Sequence, residues 1–202
     1  MDDTPSDFSF NTAPSEPEPQ RSNAGWVSFL LETIQTIVLA IALYFLIDSV
    51  VARVRVENIS MEPTLMPGQF LLVNKLSYRM GDFQYGDIIV FHYPPDPTED
   101  YIKRVIGVPG DEVRIANQQV SVNGYTLDEP YISQDPQYEG TWKVPPDYLF
   151  VLGDNRNQSS DSHSWGFVPV DYVVGKALVI YWPFSDMKLL TRPTVVNAAN
   201  AP

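Results

Sequence analysis

The chain has 202 residues, room for one ordinary domain with flanking segments or two small ones. It has no cysteine, which excludes disulfides, thiolate nucleophiles and cysteine-based zinc sites. Its formal net charge is −12, and no segment clusters Lys and Arg as phosphate neutralisation requires. Nucleic acid is therefore not an expected partner, and solubility is the plain consequence of the acidity.

Residues 1–25 are rich in Pro, Ser, Asn and acids and have little to bury, so a disordered acidic tail is expected. Their negative charge is opposite to the start of a secretory signal. The one long apolar run, FLLETIQTIVLAIALYFLIDSVV, covers residues 29–51. As a helix it would reach roughly 34 Å at ~1.5 Å per residue, against a hydrocarbon core of ~30 Å. A membrane-spanning helix is expected over 26–52, with Trp26 as an interfacial anchor. Glu32, Thr33, Gln35, Thr36 and Asp48 crowd its ends, where charges can reach the headgroups. A buried helix of a soluble domain is the alternative reading. Arg53 and Arg55 follow the run while Arg21 alone precedes it closely, a weak lean towards a cytoplasmic C-terminal domain.

Beyond residue 52 the pattern turns to β. Strands are expected at 53–59, 69–74, 87–93, 101–108, 111–115, 118–122, 148–152 and 172–181, where β-branched and aromatic residues recur. Met66-Pro67-Gly68, Tyr93–Pro97, Pro109-Gly110-Asp111 and Asn123-Gly124 separate them as turns. Residues 128–147 read as a long proline-containing loop, and 186–202 as a C-terminal tail after a β-rich domain over 53–185. No strong amphipathic helix follows residue 52. The fold class is mainly β, a sandwich or barrel-like core.

The only histidines are His92 and His163, so a histidine-rich metal site is excluded. His92, in the strand-like IIVFHYP, reads as structural, and a Ser-His-Asp triad through either histidine has only proximity in sequence behind it. Three segments stand out. In Asn58-Ile59-Ser60-Met61-Glu62-Pro63-Thr64-Leu65 a serine ends a strand before a proline-bent turn. Such a position exposes hydroxyl and backbone N–H together, as a nucleophile with an oxyanion donor requires. Taken alone, an ordinary turn serine is the better reading.

Lys103 interrupts a run, Tyr101 to Val108, that otherwise alternates as a half-buried strand. A snorkelling lysine is one account, and a lysine kept neutral by burial is the other. Acting as a base near neutrality needs a shift of about 3 units, roughly 4 kcal/mol. The third segment runs from Gly153-Asp154-Asn155-Arg156 through Ser159, Asp161 and His163 to Gly166.

Together and in this order, SMEPTL, KRVIGVPGD and GDNRxxSxDSxxxG, with x any residue, resemble the type I signal peptidases. These are Ser–Lys proteases that remove signal peptides from exported proteins. The resemblance runs from the apolar run to about Trp182. It implies an antiparallel β catalytic domain behind a single-pass transmembrane helix. It implies Ser60 as nucleophile and Lys103 as general base. Ser159 would orient the lysine amine, and Asp161 would organise the site. Met61, Leu65, Tyr101 and Ile102 match positions lining shallow apolar pockets. Gly153, Asp154, Asn155 and Arg156 would shape the loop carrying Ser159 and Asp161.

Two departures stand out. His163 replaces a frequent arginine beside Asp161. Asn58 replaces a frequent serine whose hydroxyl helps bind the oxyanion. The resemblance further implies cleavage of precursor proteins after small residues in an Ala-x-Ala-like pattern, without metal or organic cofactor. Signal-peptide-bearing precursors and membrane lipid are the implied partners, with the export machinery as a further one. The site would be the cell (plasma or inner) membrane or a thylakoid membrane, the N-terminus cytoplasmic and the β domain on the trans side. That orientation overrides the weak lean from Arg53 and Arg55. Two alternatives stand beside this reading. One is a self-cleaving repressor-like Ser–Lys protease, against which the lack of a DNA-reading helical module and the presence of a span both argue. The other is a catalytically dead, membrane-anchored β module that only binds peptides.

Overall fold

The apolar run forms one helix. In a computed structural model describing residues 24–78 and 82–193, α1 spans Ala24–Val50. Every residue from 25 to 49 is exposed, so this is not the buried core helix of a soluble domain. Gly25–Val50 is long and apolar enough to cross a membrane. Its polar groups are partly hidden: Thr33 and Thr36 hydroxyls donate to the Phe29 and Glu32 carbonyls, each at 2.8 Å. Such back-bonding satisfies a hydroxyl where no water is available. The expected tail at 1–25 lies outside the described residues apart from the first helical positions. The chain divides into two units, the first ending at Leu43 and the second starting at Tyr44.

The second unit is built on antiparallel sheets. The larger contains β1 (Val51–Arg55), β2 (Phe70–Asn74), β3 (Ile88–Tyr93), β4 (Asp96–Gly107), β9 (Tyr148–Leu152), β10 (Val168–Pro169), β11 (Val173–Trp182) and β12 (Lys188–Leu189). Its order is β1-β2-β11-β3-β4-β9-β10, with β12 pairing β11. The smaller holds β5 (Glu112–Ala116), β6 (Gln119–Val122), β7 (Tyr125–Thr126) and β8 (Gly140–Lys143), in the order β7-β6-β5-β8. Both tight hairpins of the small sheet place two consecutive residues at positive φ. These are Asn117 and Gln118 (50° and 64°), then Asn123 and Gly124 (52° and 84°). This backbone matches strand twist, and the Asn-Gly pair adopts it at least cost.

Alternation decides which faces are buried. Leu71 and Val73 of β2, Ile88 and Val90 of β3, and Ala177 and Ile180 of β11 form one core with Val56, Met61 and Leu65. Ile89, Phe91, Val105, Leu149, Val151 and Val168 fill the opposite face. The small sheet rests on Ile106, Phe150 and Leu152 through Val113, Ile115 and Val120.

Five expectations are corrected. The helix expected over 26–52 ends at Val50, because Val51 and Ala52 pair with Asn74 and Val73 as the start of β1. The strand expected at 53–59 ends at Arg55, because Ile59–Met61 turns as a 3-10 helix. The strand expected at 101–108 begins at Asp96, because the chain reverses at Pro94-Pro95 and Asp96 already pairs with Tyr93. The loop expected at 128–147 contains β8, which exists by pairing with the otherwise open edge of β5. The tail expected from 186 contains β12, registered Val179↔Leu189 and Ile180↔Lys188, while 194–202 lie outside the described residues. A four-residue helix, α2 (Ser162–Trp165), follows Asp161.

Candidate active site

Ser60 sits in the 3-10 turn immediately after β1, and the turn is pinned by the loop after β9. The Asn155 N–H donates to the Ser60 carbonyl at 3.0 Å, and its side-chain amide donates to the Ile59 carbonyl at 3.2 Å. Leu65 N–H closes back on the Met61 carbonyl at 2.9 Å. Three successive carbonyls, of Ile59, Ser60 and Met61, are thus held, which fixes the backbone carrying the Ser60 hydroxyl.

Lys103 lies on β4 opposite Ile89 and is 4% exposed. Its Nζ donates to Ser60 Oγ at 2.8 Å and to the Ile102 carbonyl at 3.0 Å. Burial disfavours the ammonium and brings its pKa down to about 8, although Asp161 and Asp154 pull the other way. The nearby Tyr101 ring, 5.1 Å from Nζ, is a further weak attraction for a cation. The result is an amine close to its titration point, touching a hydroxyl.

The third segment wraps behind this pair. Asp161 is fully buried: Oδ2 accepts from Gly153 N–H at 2.9 Å, and Oδ1 meets His163 Nδ1 at 2.6 Å. Tyr138 stacks on the His163 ring, centroids 3.8 Å apart and 13° from parallel. Ser159 Oγ is buried and makes no hydrogen bond among the described residues, so its expected contact with the lysine amine is not formed. Gly153 has no alternative residue: a Cβ there would run into Ser159 Oγ and the Ser60 carbonyl oxygen. Asn58, extended at φ −108° and ψ 158°, makes no side-chain capping bond and faces the cleft.

That cleft has a volume of about 260 Å³ and lies between residues 54–61 and 100–103. Met61, Tyr101 and Ile102 line it together with Asn58, Ser60 and Lys103. Leu65 does not: it is fully buried in the core below, packed with Met61 and Val56. The strand beside the cleft keeps an open edge. β3 covers one side of Asp100 through Lys103, whereas β9 pairs with β4 only from Arg104 onward. Larger hollows, of about 450 Å³ beside Phe83 and 330 Å³ beside Gln118, hold no serine–lysine contact. Among the described residues no three His, Asp or Glu side chains are grouped to hold a metal ion.

Several supporting residues escape sequence reasoning. Arg104 forms a buried bidentate pair with Asp154, and Arg156 one with Glu129 at 2.7 and 2.6 Å. Tyr131 lies 3.9 Å from the Arg104 guanidinium. One signal was available: two basic residues in succession inside a buried strand point to opposite faces, and each needs a reason to be there. Glu129, Tyr131 and Tyr138 come from a stretch with no pattern that marks them.

The chain matches the family "Signal peptidase, peptidase S26" over residues 30–182. It is 47% identical over 169 residues to a probable signal peptidase I-2 of Synechocystis sp., covering 80% of this chain and 77% of that protein. A signal peptidase I of Leptolyngbya laminosa is 42% identical over 191 residues, covering 90% of this chain and 93% of its own. A crystal structure of a signal peptidase I from Enterococcus faecalis shares 32% identity at a TM-score of 0.45, covering 48% of this chain and 97% of that one.

Proposed function

The chain belongs to the S26 signal peptidases, which are serine endopeptidases, and from that premise we propose that Ser60 and Lys103 cleave membrane-delivered precursors. The observation that carries the proposal is the 2.8 Å contact between Ser60 Oγ and the buried Lys103 Nζ. In the neutral state the same contact lets the hydroxyl donate to the amine lone pair. Lys103 takes the Ser60 proton as Oγ attacks the scissile carbonyl, and an acyl-enzyme forms. The ammonium then protonates the leaving amine. Water, deprotonated by Lys103, releases the acyl group and restores the serine. The Ser60 N–H and the Asn58 carboxamide are the proposed donors to the oxyanion. Asp161 and Ser159 hold the wall behind the lysine, and no metal or cofactor enters any step.

The substrate is a signal-peptide-bearing precursor, cut after small residues in an Ala-x-Ala-like pattern. A cleft of about 260 Å³ lined by Met61, Tyr101 and Ile102 supports small apolar side chains. The open edge of β4 at 100–103 supports binding of the substrate as an added strand. The proposed setting is a plasma, inner or thylakoid membrane crossed once by α1, with the N-terminus cytoplasmic and the β domain on the trans side. Trp182, Phe184, Met187 and Leu189, all exposed, support a β domain working against lipid. The export machinery is a natural neighbour there.

The test is cleavage of a synthetic precursor by the full chain in detergent or vesicles. Ser60→Ala and Lys103→Ala are each expected to abolish cleavage, and the double variant to be little worse than either single one. Sustained turnover by Lys103→Ala would overturn the reading.

A further inference from the structure

We infer that residues 183–193 form a strap that holds the nucleophile turn and the base-bearing strand in register, with Arg192 and Asp186 as its two positioning residues. The inference rests on the Ser60–Lys103 reading and adds residues that neither contact touches.

One end of the strap binds the nucleophile loop. Residues 56–69 form a closed loop around Ser60, joined at its mouth by Val56 N–H to the Gln69 carbonyl and Gly68 N–H to the Val56 carbonyl, each 2.8 Å. Gln69 is 5% exposed, and its side-chain carbonyl accepts from Met66 N–H at 2.9 Å. Its remaining amide N–H donates to Asp186 Oδ2 at 2.8 Å. Asp186 is therefore the outside ligand of the residue that closes the Ser60 loop.

The other end binds the turn that abuts Lys103. β12 pairs with β11 on the side that β3 occupies further along, so the chain leaving β12 runs towards the start of β3. There Arg192 Nε donates to Asp87 Oδ1 at 2.5 Å, its Nη1 also meets Gln84, and Pro193 lies against Gly86. Asp87 is 1% exposed and receives Lys176, Tyr78 and the Gln84 N–H as well. Burial alone would raise its pKa, but Arg192 and Lys176 overcome this and hold it below the ordinary carboxylate value. The same turn grips β4: Gly86 N–H donates to the Val105 carbonyl at 2.9 Å and Val105 N–H to the Asp87 carbonyl at 2.8 Å. Arg104 Nη1 donates to the Gly86 carbonyl at 3.0 Å. These bonds fall on the two residues that follow Lys103.

The strap thus ties Ser60 through Gln69 and Lys103 through Gly86 and Asp87, while making contact with neither. A nucleophile and base 43 positions apart in the chain must meet within about an ångström, and a misplacement of that size can cost about 100-fold in rate. Slack in the strap should appear in kcat and leave substrate binding nearly unchanged. It should also admit water around Lys103 and move the base-dependent limb of the pH–rate profile upward.

The experiment compares the full-length wild type in detergent with Arg192→Gln, Arg192→Lys and Asp186→Ala, using a synthetic precursor. Each sample is first checked for its folded fraction by circular dichroism at the assay temperature. Arg192→Gln is expected to lose between about tenfold and 100-fold in kcat with KM within about twofold. Its pH limb should move to higher pH, and Arg192→Lys should recover most of both. Asp186, on the surface, can be removed without exposing the core, so Asp186→Ala keeps the test alive if Arg192→Gln fails to fold. It too should lower kcat more than KM. Wild-type kcat and an unmoved limb in folded Arg192→Gln, or in folded Asp186→Ala where Arg192→Gln does not fold, would overturn the strap. So would a loss that follows the folded fraction alone. Turnover by Ser60→Ala in the same assay would instead count against the dyad, a separate outcome.

Discussion

Arg104, the residue after Lys103, holds Asp154 through two parallel bonds: Nε to Oδ1 at 2.7 Å and Nη2 to Oδ2 at 2.6 Å. Their side chains are 3% and 0% exposed. Asp154 follows Gly153, whose N–H Asp161 holds, so one ion pair joins the strand of Lys103 to the loop behind it. Removing one partner of such a pair strands a buried charge. Arg104→Ala should destabilise the folded chain by about 3–5 kcal/mol, measured by denaturant unfolding in detergent. Arg104→Ala with Asp154→Asn should cost clearly less than the two singles added together. Strict additivity would mean the pair is not coupled.

Lys103 should govern the pH dependence of cleavage. Its pKa in the folded chain is about 8, against an ordinary value of 10.5. The neutral, proton-accepting form therefore accumulates as pH rises through 8, and kcat/KM should climb to a plateau just above it. The stability effect has the same sign. Between about 8 and 10.5 the unfolded lysine carries more proton than the folded one, so folding stability rises with pH in that window. Below it, the buried ammonium costs about 3 kcal/mol. Lys103→Met should thus be inactive yet no less stable than the wild type at pH 7, as thermal unfolding would reveal. A large fall in stability would contradict the burial argument.

His163 is expected to support Asp161 and not to act as the base, since the serine hydroxyl contacts Lys103 and His163 Nδ1 is engaged with Asp161 Oδ1. His163→Ala should lower kcat by roughly tenfold, the lower end of the range for a residue acting through position. His163→Arg places a permanent cation and a donor beside Asp161, and should retain activity. Tyr138→Leu, which removes only the stacked ring, should fall between the two. If both His163 variants were as inactive as Ser60→Ala while Lys103→Ala kept working, histidine would be the base.

Topology gives a fourth test, motivated by the exposed apolar helix over Gly25–Val50. Protease added outside intact cells or right-side-out vesicles should digest the β domain and spare residues 1–25. Protection of the β domain would restore the orientation suggested by Arg53 and Arg55.

Much of this fold is legible in the sequence. Strands such as 69–74, 87–93 and 148–152 end within a residue of their expected bounds, because β2 alternates, β3 and β9 are apolar on both faces, and Gly68, Asp87, Pro94 and Gly153 lie at or just beyond their ends. β8 was not legible: Gly140-Thr141-Trp142-Lys143 has one large apolar side chain and becomes a strand only through its pairing with β5. β10 and β12, two residues each, carry no periodicity at all. Lys103 drew attention because an ammonium in a buried strand is costly. That it meets Ser60 followed from resemblance alone, since nothing local encodes a contact across 43 positions. Leu65 shows the limit from the other side. An apolar residue near a nucleophile can line a cleft or fill the core beneath it, and composition does not distinguish the two.

The small sheet is grafted onto the large one at a single point. Gly107 on β4 lies directly opposite Phe150 on β9, so the whole excursion 108–147 departs and returns within one strand spacing. Chain inserted between such anchored ends is inexpensive, about 0.6 kcal/mol for each doubling of a flexible loop. The turns at Asn117-Gln118 and Asn123-Gly124 are therefore where relatives could gain or lose length, or where a foreign peptide could be carried, without disturbing the chemistry. Glu129 and Tyr138 mark where that licence ends, because their partners Arg156 and His163 belong to the segment that packs behind Ser60 and Lys103.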